Sequence, residues 1–447
     1  MSRHQVLLVV IGLVVSSFPA CGGGGSGSTA SQPPIVTTPP QSSFQETFQD
    51  SSGTIATFSQ QKIDTSNPFF AQLGTNQRTC ATCHDAGDGW SLTPAHLQQR
   101  FQTSQGTDPV FSAIDGANCP SADVSTLSAK TSAYSLLLNS GLIRMTLPMP
   151  ANAEFSIISI SDPYQCPETT ASQPALYRRP LPSTNLRFLN GIIWDGREPD
   201  LQTQARDATL MHTQPNGPPT DAQLQQIVGL ETMLFTAQSE DSLAGNLTAQ
   251  GGNGGPTFLS TLPFSAGMNS GSAFDPNVFT LYSPWASAAG TNAASQQAVA
   301  RGEMLFNSFP FTISGVAGLN DVQGQTQIVG TCTTCHNTPN VGGNSSFSMM
   351  NIGTGSSQVP LPLYRIQCND GTATVSTDPG RAMVTGKCAD IGKFRVPGLR
   401  GLAARAPYFH SGTANTLMDV VNFYDTRFNL TITDDQKADL VAFMNTL

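Results

Sequence analysis

The clearest hydrophobic periodicity lies near the C-terminal end. Leu417, Val420, Val421 and Tyr424 recur at the i, i+3, i+4, i+7 spacing of a helix with one apolar face. Thr416 with Asp419 opens that helix as a capping box, Asp standing in the usual place of Glu. Thr433-Asp434-Asp435-Gln436 opens a second helix, whose Leu440, Val441, Met444 and Leu447 share one side. Ser295 to Asn307 predicts a third, with Val299, Gly302, Leu305 and Phe306 on one face. Asn67 to Gly74 is a shorter and less regular counterpart. Phe155 to Ser161 alternates as a strand. A Pro-rich run follows it, including Arg179-Pro180-Leu181-Pro182. The stretch from Gly251 to Ala294 is rich in Gly and Ser and weakly patterned, and reads as the boundary between two halves. The pattern predicts a mainly α chain with long loops and little sheet.

The N-terminal pattern is of another kind. Arg3 precedes an apolar run from Val6 to Val15, and small residues follow to Ala20. Residues 1–20 read as a signal peptide, too short to span a bilayer. Phe18-Pro19-Ala20-Cys21 resembles a bacterial lipobox in its Ala-Cys junction, and residues 21–43 are a flexible Gly/Ser/Pro tether. The expectation is export to the periplasm or outer membrane with a lipid anchor at Cys21, the membrane being met through that anchor alone. The other reading is ordinary secretion, with Cys21 lost alongside the signal.

Composition narrows the partners. The 447 residues carry a net charge of -9 with only 11% charged side chains, which leaves no basic footprint for nucleic acid. Such a surface suits a small neutral substrate or a basic redox partner.

The chemistry is carried by a pattern that occurs twice, Cys80-Ala81-Thr82-Cys83-His84 and Cys332-Thr333-Thr334-Cys335-His336. Cys-x-x-Cys-His is the attachment run of a c-type haem: two thiols add to the vinyl groups and the adjacent His ligates the iron. Redox dithiols and half zinc sites are the competing readings. Zinc would need a second Cys/His pair close by, and neither copy has one. Of nine cysteines, four hold haem, Cys21 would carry lipid, and Cys119, Cys166, Cys368 and Cys388 remain. In an oxidising compartment the simplest pairing joins 119 to 166 and 368 to 388. Two haem domains follow, residues 44–290, with an insertion over about 85–178, and residues 291–447.

Three segments together resemble the bacterial dihaem cytochrome c peroxidase family, including its methylamine-utilisation maturase branch. They are the two haem motifs; Ile193-Trp194-Asp195-Gly196-Arg197 with Leu201 and Gln204; and Lys393 to Arg400 continuing to Ala406-Pro407-Tyr408-Phe409-His410-Ser411-Gly412. The resemblance covers about residues 190–447. It implies two cytochrome c-like haem domains, with peroxide met at the N-terminal haem and electrons accepted at the C-terminal one. Trp194 would be the relay between them, the bland alternative being a core residue. Gln204 matches the distal glutamine of the family. The family's distal glutamate falls on Gln214, which cannot titrate, while His212 beside it can. His212 is thus a replacement acid/base group, a sixth ligand or a surface side chain. The switchable histidine ligand of the family has no counterpart here, which leaves Met145 and Met149 as soft substitutes or as packing. At the offset from His410 where the peroxidases have a ligating Met and the maturase a Tyr, this chain has Tyr424, a ligand of the second iron or a core residue. The resemblance also implies calcium between the haems, with carbonyls from Arg405 and Pro407. Where an asparagine should contribute stands Arg179, which cannot bind a cation.

The expected function is that of an extracytoplasmic dihaem peroxidase, taking electrons from a small redox protein or a quinol-linked donor, as a monomer or a homodimer. The alternatives are a maturase- or oxygenase-like high-valent haem enzyme acting on a partner protein or organic substrate, and a non-enzymatic electron-transfer cytochrome.

Overall fold

The capping boxes form as read. In the computed structural model, which describes residues 44–356 and 359–447, helices run over Leu417–Phe428 and Asp434–Asn445. The Thr416 and Thr433 side chains accept from the amides of Asp419 and Gln436. The signal peptide, Cys21 and the tether lie outside the described residues. The third expected helix is Ala293–Ser308. It packs across the terminal helix at Gly302, where a Cβ would overlap the Asp439 carbonyl. Arg301 pairs with Asp439 at 2.7 Å beside that crossing. Asn67 to Gly74 yields only a short 3-10 turn, Pro68–Phe70, after which Ala71 is extended.

The weakly patterned stretch 251–294 is not a spacer. Val278, Phe279, Leu281, Tyr282 and Trp285 are all buried. Phe279 meets Phe306 and Phe443 edge-on, at ring distances of 5.6 and 5.5 Å. Glu303 reaches back from the helix to accept the amides of Leu281 and Tyr282 at 2.7 and 2.9 Å. An irregular segment can bury its aromatics without any helical or strand period, so the pattern did not announce this one.

Sheet is more plentiful than expected. Among the described residues there are eleven α-helices; with the 3-10 turns, helix amounts to about 33% and strand to about 17%. Phe44–Gln49, Gly53–Ser59, Phe235–Asp241 and Gly245–Asn246 form one sheet. Phe155–Ser161 is a strand as read, and its neighbour is Leu363–Cys368 from the other end of the sequence, antiparallel, with Ala373–Ser376 beyond. Leu363–Cys368 alternates exposed and buried positions, with Tyr364, Ile366 and Cys368 inward. That period-2 signal was present in the sequence and went unread. The segment over 85–178 holds the helices Pro94–Ser104, Leu127–Ala133 and Ser135–Ser140, and the paired strands Ile143–Thr146 and Ala175–Arg178.

Both expected disulfides, Cys119–Cys166 and Cys368–Cys388, are formed. Closing loops of 47 and 20 residues restricts the unfolded chain by roughly 3–4 kcal/mol each. Among the described residues no helix is long and apolar enough to cross a membrane.

Candidate functional site

Both haem motifs fold alike, for a reason visible in their sequences. Each reads Thr-Cys-x-Thr-Cys-His. Thr79 N donates to the Thr82 hydroxyl at 2.9 Å, and Thr331 N to Thr334 at 3.0 Å. Each Cys-x-Thr run is thereby a single 3-10 turn, Cys80–Thr82 and Cys332–Thr334. His84 N and His336 N then donate to the carbonyls of Cys80 and Cys332, both at 3.1 Å. His84 Nδ1 lies 2.9 Å from the Trp90 carbonyl and His336 Nδ1 2.5 Å from that of Gly342. These bonds commit Nδ1–H and leave Nε2 as a lone-pair donor. Burial pulls both imidazoles down to about 4, so they are neutral at pH 7. Burial pushes Cys80, Cys332 and Cys335 up to about 12, and Cys83 upward as well. None of the four is in a disulfide. A reactive redox dithiol would need a depressed pKa, so that competing reading loses support.

Each motif lines its own cavity, of about 230 Å³ around His84 and about 210 Å³ around His336. About 10–15 Å³ holds one water, so these are molecule-sized spaces in an otherwise packed interior.

The helix Leu201–Thr213 forms one wall of the first cavity. Leu201, Gln204, Ala208 and His212 fall on one face at helical spacing, and all four line the space. His212 Nδ1 is 2.7 Å from Asp115 Oδ2. Asp115 also takes Arg78 Nη1 at 2.6 Å, while Arg78 Nε and Nη2 donate to the carbonyls of Pro109 and Val110. Burial alone would raise the Asp115 carboxyl. The hydrogen bond from His212 and the charge of Arg78 outweigh it, and hold the group below the usual carboxylate range. His212 is therefore no simple surface side chain: a buried carboxylate orients it and its Nε2 is free. Gln214, at the family's glutamate position, is an exposed helix cap. Met145 lines the cavity. Met149 is half-buried against the core cluster that contains Phe155 and Met383.

Glu231 is a member of this cavity that sequence reading missed. It is 4% exposed, its Oε2 has no hydrogen-bond partner, and burial pushes it up to about 8 despite a bond with Ser183.

In the second cavity the predicted face of Leu417–Phe428 arrives intact: Leu417, Val420, Val421 and Tyr424 all line it. Tyr424 stacks on Phe428 at 6.2 Å, and its hydroxyl has no hydrogen-bond partner among the described residues. Burial, with Cys335 and Cys332 adding to it, raises the phenol well above its usual range. His410 is 1% exposed and stacked on Phe394 at 3.9 Å; its Nε2 has no hydrogen bond among the described residues but lies 3.9 Å from Asp378 Oδ2.

Arg179 to Pro182, Trp194, Arg395, Pro397, Gly398 and Arg405 line both cavities and form the wall between them. Trp194 is fixed at both ends: its Nε1 donates to the Arg179 carbonyl at 2.8 Å, and its own carbonyl accepts Arg395 N at 2.9 Å. Its ring meets His410 edge-on at 6.0 Å. The next residue, Asp195, is fully buried between Arg178 (2.6 Å) and Arg197 (2.9 Å), and Arg178 also grips Asp378 at 2.6 Å. Ile193 sits at φ 66, a costly conformation for a β-branched residue, held by these flanking contacts.

The residues present fit two c-type haems. Each motif offers two thiols and an inward Nε2 to a molecule-sized cavity. The walls also carry Arg395, Arg400 and Arg405, each pulled down to about 10 by desolvation and none in an ion pair among the described residues. Arg400 Nη2 has no hydrogen-bond partner among the described residues. Buried cations need anions, and a haem carries two propionates.

No family model matches the chain. It is similar in sequence to bacterial proteins named cytochrome c peroxidases. It is 24% identical over 284 residues to the cytochrome-c peroxidase IdrP1 of Pseudomonas sp. strain SCT, covering 59% of this chain and 66% of that protein. With the cytochrome c551 peroxidase of Nitrosomonas europaea it shares 35% identity over 117 residues, 26% of this chain and 30% of the relative. The chain thus spans under two thirds of the length of these relatives. Among solved structures, a MauG-like protein associated with microbial copper homeostasis aligns at TM-score 0.35 and 14% identity, over 62% of this chain and 77% of that one. The diheme peroxidase BthA of Burkholderia thailandensis aligns at 0.34 and 16%, over 85% and 84%.

Proposed function

We propose that the chain is an exported dihaem c-type peroxidase, which reduces hydrogen peroxide to two waters with two electrons and two protons. One observation carries the reading: two cavities, each with a Cys-x-x-Cys-His turn whose His has Nδ1 committed and Nε2 free, share a wall that contains Trp194. The cysteines would attach the haems covalently, with His84 and His336 as axial ligands. Bound haem supplies the iron chemistry that splits the peroxide bond. The protein's part is to move protons and exclude water. His212 Nε2 is the group in the first cavity suited to take a proton from one peroxide oxygen and return it to the other. Asp115 keeps the ring's tautomer and orientation, and Gln204 offers a hydrogen bond from the same helix face. Trp194 would pass electrons through the shared wall, from a haem held by residues 291–447 to one held by residues 44–290. A small redox protein or quinol-linked donor would feed the second haem, with the protein held at the membrane by lipid on Cys21.

Tyr424 favours a second reading within the same class. Its unpartnered hydroxyl in the second cavity suits a phenolate ligand, which stabilises ferric iron, and so a maturase- or oxygenase-like reaction on a partner protein or organic substrate. The EPR spectrum of the ferric protein, with and without peroxide, tests the proposal. A high-spin component that responds to peroxide is expected. Two low-spin haems indifferent to peroxide and cyanide would make the protein an electron carrier instead.

A further inference from the structure

The resemblance to the peroxidases implies calcium between the haems, and the residues at that place do not fit it. Arg179 fills the position with a guanidinium. It is 4% exposed and donates to three backbone carbonyls: Leu92 at 2.7 Å, Ser140 at 3.0 Å and Arg405 at 3.1 Å. The Arg405 carbonyl is one of the two oxygens expected on the ion. Gly141 makes room for the side chain, since a Cβ there would overlap Arg179 Nη1. The backbone of the same residue fixes the wall. Arg179 N donates to the His410 carbonyl at 2.7 Å, and Arg179 O accepts Trp194 Nε1 at 2.8 Å.

We propose that Arg179 is a built-in cation, taking the place of a divalent ion and locking Trp194 and His410 into the wall between the cavities without metal. Two facts favour this over a shared site. The Arg405 carbonyl, one of the two that would ligate an ion, already accepts from a guanidinium, and the Arg405 side chain adds a second positive charge nearby. Burial and Arg405 together pull Arg179 down to about 10, which still leaves it charged at neutral pH. A divalent cation would thus meet like charge and find the Arg405 oxygen taken. Arg179 acts here as a positioning residue, not a catalytic one.

The proposal rests on the dihaem reading, so covalent haem content is measured on the same samples. Extractable or missing haem would indict that reading and not this one. The holoprotein is dialysed against EGTA, then against excess calcium, then freed of unbound ion. Elemental analysis should find well under 0.1 calcium per chain in both samples. Ferric spectra should superimpose and melting temperatures agree within about 1 °C. About one calcium per chain, or a spectrum lost to chelator and restored by calcium, would overturn the proposal. Arg179→Gln removes the charge and frees the carbonyls. It should melt lower and alter the haem spectra, whereas wild-type melting and spectra would show that the charge locks nothing. If the variant does not fold with both haems, the ion content and chelator response of the wild type decide alone.

Discussion

Glu231 sets a pH dependence that can be worked out in advance. Its carboxyl has a pKa of about 8 in the folded protein, against an ordinary value of 4.5. Below pH 4.5 it is protonated whether the chain is folded or not, and it has no effect on the equilibrium. Between pH 4.5 and 8 the unfolded chain releases a proton that the folded chain keeps, so stability falls by about 1.4 kcal/mol per pH unit. Above pH 8 both forms are ionised and the loss levels off. The whole interval amounts to at most about 5 kcal/mol, a large share of the stability of any domain. Glu231→Gln keeps the shape and the hydrogen bond to Ser183 but cannot ionise. Urea denaturation at pH 5, 6, 7 and 8 should give two curves that meet near pH 5 and diverge upward, the variant being the more stable by about 2–5 kcal/mol at pH 8. Parallel curves over that range would mean that Glu231 is solvated or already ionised, and the picture of a neutral, buried carboxyl beside Cys80 would be wrong.

Asp115→Asn leaves Arg78 buried without its counter-charge and loosens His212. It should cost about 3–5 kcal/mol in denaturant melts and change the ferric spectrum of the His84 haem alone; a loss under 1 kcal/mol with an unchanged spectrum would rule out the orienting role. Tyr424→Phe should raise the reduction potential of the second haem if the phenolate is a ligand, while an unchanged potential and spectrum would make Tyr424 core. Trp194→Phe should retain both haems and slow the step in which the second haem is oxidised after peroxide addition, read by stopped flow; an unaltered rate would leave Trp194 as packing.

Much of the site was legible along the chain. The haem turns are local objects, because Thr79 with Thr82, and Thr331 with Thr334, close them within three residues. The helices at Thr416 and Thr433 were readable for the same reason: a cap and an apolar face are written into consecutive residues. The two disulfides followed from cysteine arithmetic. What could not be read were interactions whose partners are distant in sequence and carry no shared pattern. Asp115 reaches His212, Arg179 reaches the Arg405 carbonyl, and Glu231 lies near Cys80.

The sequence by itself determined the two Cys-x-x-Cys-His turns and the helices that wall the second cavity. Each depends on residue types at short spacings, where backbone geometry leaves few choices. Only the tertiary structure decided that His212 is backed by a carboxylate, that Trp194 belongs to both cavities, that the stretch around Phe279 and Trp285 is core, and that the Arg179 guanidinium holds the Arg405 carbonyl. Those outcomes depend on burial. Burial decides which charges must find partners, which carbonyls are already taken and which carboxyl keeps its proton, and it exists only once segments far apart in the chain have closed around one another.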